Sequence, residues 1–336
     1  MTLRVACAGA GYFSQFHIDS WQRMDHVALV GVCDLDGRKA QATGAPAFDD
    51  LQRMLDQTRP DILDIILPPP GHAATIKTAL KAGPKAIICQ KPFCTSLAEA
   101  EEIAGAAEAA GIPLIIHENF RFQPWFRFIR SFIADGHLGD ILQVTFRLRP
   151  GDGQGPDAYL DRQPSFRSMP EFLIHETGIH YVDVFRYLLG EPSHVYADLR
   201  RINPVIAGED AGYVIFDYPS GARALLDGNR NADHDADNLR RTMGEGLIEG
   251  TGGTLTLSGD GSVTFRAFGT LEKRQALAPD QHQGFGGDCA NALQLHVVSG
   301  LIEGQGFENT ASEYLRVIRT KEAIYRSHMT RAKVRV

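Results

Sequence analysis

The chain has 336 residues, of which 43% are hydrophobic and 22% charged, and a formal net charge of −7 at pH 7. That length allows two domains of ordinary size, each with its own core. The acidic balance argues against a nucleic-acid surface, which needs clustered Lys and Arg. No apolar run approaches the roughly 18 residues of a membrane helix.

Residues 1–9 form an apolar stretch broken too early by glycine to serve as a signal peptide. Cysteine usage points the same way: five is odd, Cys7, Cys33 and Cys89 fall in apolar strand-like runs, and there is no CxxC pair. A cytoplasmic protein without a structural metal is expected.

In chain order, residues 3–8 read as a strand, followed by Gly9-Ala10-Gly11-Tyr12-Phe13-Ser14 and a helical pattern over 16–24. Strand, glycine turn and helix is the context in which G-x-G-x-x-G places a pyrophosphate on the N–H groups of a helix N-terminus. Gly9 permits the tight turn, Gly11 lets backbone approach the phosphates, and Tyr12, Phe13 and Ser14 complete the loop, with Ser14 replacing the third glycine. The next apolar run, 27–33, ends in Asp34, near the spacing at which an acid takes ribose hydroxyls. A carboxylate there favours NAD and repels the 2′-phosphate of NADP. Arg38, four residues on, could offset that repulsion, so NADP is not excluded.

The alternation of strand and helix continues through 62–67, a Pro68-Pro69-Pro70-Gly71 loop at the same sheet edge, and a helix over 72–82. Pro68 and His72 are candidate cofactor contacts; His72 could equally close the helix terminus. Residues 86–90 form a buried parallel strand ending in Gln90-Lys91-Pro92. Ligands of open α/β sheets bind beyond the carboxyl ends of the strands, which makes Lys91 the first catalytic candidate. Ser96-Leu97-Ala98-Glu99 is a capping box opening a helix that Gly111 ends. After the strand 113–117, residues 118–124 leave toward the same crevice with Asn119 and Arg121. The expected division is a dinucleotide-binding Rossmann domain over 1–120 and an α+β domain over 121–336, used for substrate binding and oligomerisation.

The second domain reads as strands over 141–148, 193–202, 211–218, 222–231, 247–250, 254–258 and 263–268, a large open sheet expected to be mainly antiparallel. Such a sheet has a face or edge to cover, which makes a homo-oligomer, dimer or tetramer, plausible. Between its first two strands, at 100° per residue, Glu176, His180 and Asp183 fall on one side of a helix. Two acids and an imidazole on one face form a proton-handling constellation. The competing reading is ordinary helix support by acid–histidine pairs. His175 and His180 are five apart rather than four, which argues against a metalloprotease helix. Arg167 and His234 could contact ligand or simply be exposed.

With Gly9 and Gly11, Asp34, Gln90-Lys91-Pro92 and Glu176…His180…Asp183 in this order, the chain resembles the Gfo/Idh/MocA oxidoreductase family along nearly its whole length, including the closing Phe307-Glu308-Asn309 and Ala323-Ile324-Tyr325-Arg326-Ser327. The resemblance implies an N-terminal Rossmann domain, a C-terminal domain with a large open sheet, and NAD(P)-dependent oxidation of secondary alcohols on sugars or polyols. It implies His180 exchanging the hydroxyl proton, Lys91 polarising that oxygen through a commonly cis Lys-Pro bond, and Glu176 and Asp183 orienting the substrate or the histidine. The segment 117–122 is similar to that of family members acting on pentoses, D-apiose among them.

Two positions depart from the family pattern, Gln90 where glutamate is usual and Glu176 where aspartate is usual. A carboxylate about 4 Å from an ammonium contributes on the order of 4 kcal/mol at an effective dielectric near 20, which a glutamine cannot supply. A reductase running the reverse reaction, or a non-catalytic dinucleotide sensor, are the alternatives; retention of both Lys91 and His180 argues against the sensor.

Overall fold

The computed structural model describes residues 2–282 and 284–336. Met1, the first residue of the expected dinucleotide domain, lies outside them. The described chain separates into two compact units, the first running to Asn119 and including Ala290–Arg316, the second comprising Phe120–Cys289 with Val317–Val336.

The first unit holds a six-stranded sheet in the order β3-β2-β1-β4-β5-β6, with β1 Leu3–Ala8, β2 Val27–Cys33, β3 Ala47–Phe48, β4 Ile62–Ile65, β5 Ala86–Gln90 and β6 Leu114–His117. Every pairing is parallel. This is the doubly wound order of a Rossmann domain, whose direction reverses between β1 and β4. The residues of β4, β5 and β6 are all buried, as strands covered on both faces must be. The intervening helices are α1 Ser14–Arg23, α2 Gly37–Ala42, α3 Leu51–Thr58, α4 His72–Ala82 and α5 Leu97–Ala110. Local chemistry sets their ends: the Ser96 side chain accepts from Glu99 N–H, and Gly111 takes a left-handed conformation after α5.

One crossing at 120/121 was expected, whereas the chain re-enters the first unit over 290–316. The segment brings polar groups to α1 and to the parallel sheet. Asn291 Nδ2 donates to Ser20 Oγ at 2.9 Å, Gln294 Nε2 to Asp64 Oδ2 at 3.3 Å, and the Asn309 carbonyl accepts from Ile116 N–H at 2.8 Å.

The second unit is built on a nine-stranded sheet in the order β14-β13-β12-β11-β7-β10-β9-β8-β15. Its strands are β7 Ile141–Leu148, β8 His194–Arg200, β9 Ala211–Asp217, β10 Arg223–Asn229, β11 Gly244–Gly250, β12 Gly253–Leu257, β13 Val263–Ala267, β14 Lys273–Leu277 and β15 Val334–Arg335. It is mixed: β7 and β10 pair in parallel, the others antiparallel. Alternate residues of β8, such as Val195, Ala197 and Leu199, are buried, the period-2 signature of a sheet covered on one face. The remaining helices of the chain are α6 Pro124–Ala134, α7 Ile179–Leu189, α8 Cys289–Glu303 and α9 Ala311–Thr330.

The helix expected to run straight through Glu176, His180 and Asp183 is broken in character. Leu173–Gly178 is a π-helical turn, and α-helical geometry starts at Ile179. Bonds spaced five residues apart widen the turn and rotate Glu176 relative to the residues that follow, so the 100° step does not hold across 176–180. Nor does α7 present one polar face to solvent. Every residue from Ile179 to Phe185 is buried, His180 and Asp183 among them.

Candidate active site

In the first unit the turn after β1 is shaped by sterics. Gly9 has φ +110°, and a Cβ there would lie 2.3 Å from the Ile66 carbonyl oxygen, so only glycine fits. A Cβ on Gly11 would meet no atom within 4 Å. The backbone there faces open space of the kind a phosphate needs. Ser14 closes the turn, its N–H and hydroxyl donating to the Gly11 carbonyl at 3.1 and 2.5 Å. The N-terminus of α1 has neither a side-chain cap nor an acidic residue in its first turn, so no carboxylate competes with an anion at its positive end. Tyr12 is exposed at the loop tip, and the Phe13 ring packs against Phe16 and His17 at 5.2 and 5.7 Å.

Asp34 lies just beyond β2, its carboxylate oriented by two backbone donors. Oδ2 accepts from Ala10 N–H at 2.8 Å and Oδ1 from Asp36 N–H at 2.9 Å. Each oxygen retains a lone pair for a hydroxyl donor. The Arg38 guanidinium donates to the Asp36 carboxylate at 3.1 and 3.3 Å. These hydrogen bonds hold the Asp36 carboxyl below the usual range. Pro68 precedes the short 3₁₀ turn Pro69–Gly71. His72 is fully buried, with Nε2–H donating to the Leu67 carbonyl at 2.7 Å. Burial pushes its imidazole below its ordinary pKa.

Lys91 follows β5 at the carboxyl end of the sheet, and the Lys91–Pro92 peptide is cis. Gln90 belongs to a buried polar chain absent from the sequence reading. Its Oε1 accepts from Lys91 N–H at 3.0 Å, and its Nε2 lies 2.7 Å from His17 Nε2 and 3.3 Å from His117 Nδ1. His17 Nδ1 is 2.7 Å from Asp64 Oδ2, which also accepts from Trp21 Nε1–H at 2.8 Å. A visible signal existed: Asp64 is an acid inside the otherwise apolar run of β4, a position that demands a partner. Asn119 ends the unit with a buried amide nitrogen that has no hydrogen-bond partner among the described residues.

In the second unit, His180 stacks flat on Phe120, with ring centroids 3.9 Å apart and planes 6° from parallel. The contact fixes the imidazole plane. Arg121 and Asp183, read from the sequence as separate substrate contacts, pair with each other in a buried two-point ion pair. Arg121 also lies 5.2 Å from the Tyr187 ring. The Glu176 carboxylate accepts from Thr177 Oγ1–H at 2.6 Å and lies 3.6 Å from Arg230 Nη1. Arg230 is fully buried, donates to Asp152 and Thr177, and sits 4.5 Å from the Phe172 ring. Burial works against its charge, but Asp152, Tyr159 and Glu176 outweigh it and hold the guanidinium above its ordinary pKa. Arg230 and Asp152 were not singled out in the sequence, since neither belongs to a spaced motif. Arg167 lies in the 3₁₀ turn Pro164–Ser168, half-buried. The His234 ring nitrogen Nδ1 bonds the Arg149 carbonyl at 2.8 Å.

Comparison with known proteins matches residues 3–117 to the "Oxidoreductase family, NAD-binding Rossmann fold" and residues 126–256 to the "GFO/IDH/MocA C-terminal domain". D-apiose dehydrogenase of Paraburkholderia graminis is 30% identical over 334 residues, covering 96% of this chain and 86% of its own. Among solved structures, an oxidoreductase from Agrobacterium radiobacter in complex with NAD+, L-tartaric acid and magnesium has a TM-score of 0.90 at 24% identity, covering 100% of this chain and 98% of that one. A levoglucosan dehydrogenase in complex with NADH and levoglucosan has a TM-score of 0.84 at 20% identity, with 100% of both chains covered.

Proposed function

The chain belongs to the GFO/IDH/MocA family of NAD-binding oxidoreductases, and from that premise we propose that it oxidises a secondary alcohol of a sugar or polyol with NAD as hydride acceptor. The observation that carries the reading is Lys91, set at the carboxyl end of β5 in a sheet whose glycine turn is open to a dinucleotide. The relatives named for D-apiose and levoglucosan support a polyhydroxylated substrate.

NAD, when bound, supplies the electrophilic carbon that accepts the hydride. The residues suited to hold it are Gly9, Gly11, Tyr12, Phe13 and Ser14 around the α1 N-terminus, Asp34 for the ribose hydroxyls, and Pro68, His72 at the start of α4 and Gln90 at the end of β5. The Lys91 ammonium polarises the reacting oxygen and stabilises negative charge on it. His180, its ring plane set by Phe120, accepts the hydroxyl proton and returns it in the reverse direction. Asn119, Arg121, Arg167, Glu176 and Asp183 are assigned to substrate hydroxyls or to holding the groups that meet them. The buried Asn119 amide lacking a partner supports the first role, and the Arg121–Asp183 pair the second.

Self-association through the nine-stranded sheet, as a dimer or tetramer, is part of the same reading. A row of directly paired residues runs across five strands on its less buried face, Tyr196, Ile215, Leu225, Thr145 and Leu247. Such a band is suited to packing against a copy of itself.

The test is NADH formation by purified protein given NAD⁺ or NADP⁺ and a panel of aldoses, ketoses, anhydrosugars and inositols, with Lys91→Met beside the wild type. Turnover of one panel member, lost in the variant, is expected. Binding of NADH without turnover of any of them, in either direction, would overturn the catalytic reading in favour of a dinucleotide sensor.

A further inference from the structure

The buried chain behind Lys91 lies on one face of the parallel sheet. Asp64 pairs in register with Ile88, Gln90 lies two residues beyond Ile88, and Gln90 pairs with His117. Asp64, Gln90 and His117 therefore point to the same side, where α1 brings His17 and Trp21 one turn apart and α8 brings Gln294. Asp64 and His17 are fully buried and Gln90 is 6% exposed.

Donors and acceptors in this chain allow one arrangement. Lys91 N–H can only donate, so the Gln90 atom facing it at 3.0 Å is Oε1 and the other end of the amide is NH₂. An NH₂ 2.7 Å from His17 Nε2 requires a lone pair there. The ring proton then sits on Nδ1 and is donated to Asp64 Oδ2 at 2.7 Å. Asp64 Oδ2 is the acceptor in that bond because it already receives N–H from Trp21 at 2.8 Å and from Gln294 at 3.3 Å. The second amide proton of Gln90 goes to His117 Nδ1 at 3.3 Å.

We propose that Asp64 and His17 are positioning residues for Lys91, and that the side chain at position 90 sets the charge of His17. This rests on the reading of Lys91 as part of the active site. Asp64 selects the Nδ1–H tautomer, the tautomer turns the Gln90 amide, and the amide presents the acceptor that holds Lys91 N–H. With glutamine at 90 the imidazole is neutral. A glutamate in the same place would put a carboxylate against the Nε2 lone pair, and Nε2 would take a proton from solvent to bond it. The imidazolium would then donate to Asp64 from Nδ1 and to Glu from Nε2, so the set keeps one net negative charge in either form. The charge that a carboxylate would bring beside Lys91 is thus offset by the proton it recruits. The other titratable groups near the set are His117 on β6, the thiol of Cys7, which pairs in register with Asp64, and the thiol of Cys89 on the opposite face of β5. Burial raises both thiols well above their ordinary range, with Asp64 adding to it for Cys7 and Cys94 and then Asp64 for Cys89, so they stay neutral.

The experiment is NMR of the full-length protein labelled with ¹⁵N-histidine at neutral pH, comparing wild type with Gln90→Glu. His17 signals are assigned from His17→Gln, or by through-bond correlation in uniformly labelled protein if that variant does not fold. The expected wild-type spectrum has one protonated and one unprotonated His17 nitrogen, with the proton on Nδ1; in Gln90→Glu both are protonated. A wild-type proton on Nε2, or a neutral His17 in the variant, overturns the charge assignment. The positioning role predicts that Asp64→Asn lowers kcat by about 10- to 100-fold, the scale of a misplaced catalytic group, with KM for NAD within about twofold. An unchanged kcat overturns it. The spectra need no substrate, so a failure to find one would sink the proposed activity while leaving this assignment to be decided by the imidazole alone.

Discussion

Arg121 and Asp183, 62 residues apart in the chain, meet in a two-point ion pair, with Nε donating to Oδ2 at 2.8 Å and Nη2 to Oδ1 at 2.5 Å. Asp183 is fully buried and the Arg121 side chain is 11% exposed. A second guanidinium, Arg186, lies 3.8 Å from the same carboxylate. Removing the acid takes the two-point partner from Arg121, while Arg186 keeps its pair with Glu191, and breaking a buried pair costs roughly 3–5 kcal/mol. Asp183→Ala is therefore expected to lower the unfolding free energy by that amount, read as a lower urea midpoint at unchanged slope, and an Arg121→Met/Asp183→Leu double variant to lose less than the two single changes combined. A midpoint equal to wild type for Asp183→Ala would remove the structural role and leave only contact with substrate.

Asp34 should decide between the two dinucleotides. Its carboxylate is aimed by Ala10 and Asp36 N–H groups, while Arg38 is engaged with Asp36. A hydrogen bond to a charged group is worth about 1.5–3 kcal/mol, and about 1.4 kcal/mol corresponds to tenfold in affinity. Asp34→Ser is expected to weaken NAD binding by at least about tenfold and to narrow its advantage over NADP. Titration calorimetry with both dinucleotides checks this; an unchanged ratio of affinities would mean that Asp34 does not read the ribose.

His72 makes stability depend on pH in a defined direction. Burial depresses its pKa in the folded state below the ordinary value, which is near 6.5. Above about pH 6.5 both states are neutral and the contribution is complete. As pH falls below that, the unfolded chain binds a proton that the folded chain resists, and stability is lost progressively. Melting curves at about pH 7.5 and about pH 5.5 should show a smaller difference for His72→Gln than for wild type. Identical differences would assign the acid sensitivity to other groups.

Leu225 sits near the middle of the cross-strand row on the nine-stranded sheet, paired with Ile215 on one side and Thr145 on the other. Leu225→Arg is expected to convert the associated protein to monomer in analytical ultracentrifugation without loss of the folded signal in circular dichroism. A wild type that sediments as a monomer at micromolar concentration would dispose of the interface.

What the sequence revealed and what it hid divide along physical lines. Elements governed by local chemistry were legible: β1, β2, β7 and α4 occupy 3–8, 27–33, 141–148 and 72–82 as read from apolar period, glycine and proline. The doubly wound order followed from strand–helix alternation, and NAD from the glycine turn and Asp34, since a dinucleotide domain concentrates its recognition in one continuous stretch. Helix α6 was missed although Pro124 stands at its start, because its Phe and Trp residues read equally as strand. The π-turn at Leu173–Gly178 was hidden for another reason: it depends on packing, not on propensity. Side-chain partnerships across long separations, such as Arg121 with Asp183 or Arg230 with Asp152, leave no period in a single sequence. Asp64 is the exception, since a lone acid in a buried strand announces that something must meet it.

The return of residues 290–316 to the first unit has a consequence for how this chain is made. When Asn119 has been added, the parallel sheet is complete in sequence, but Gln294 and Asn309, which bond Asp64 Oδ2 and Ile116 N–H, do not yet exist. Roughly 170 residues separate the two segments, about 8 to 35 s of synthesis at ~5–20 residues per second. Through that interval the emerging domain carries an unfinished surface, and a fragment ending at 119 carries it permanently. Faster amide exchange in β4 and β6 of such a fragment than in the full chain would record it. The parallel-sheet unit is thus finished only after most strands of the second unit have been synthesised, so the two units are made interleaved rather than one after the other.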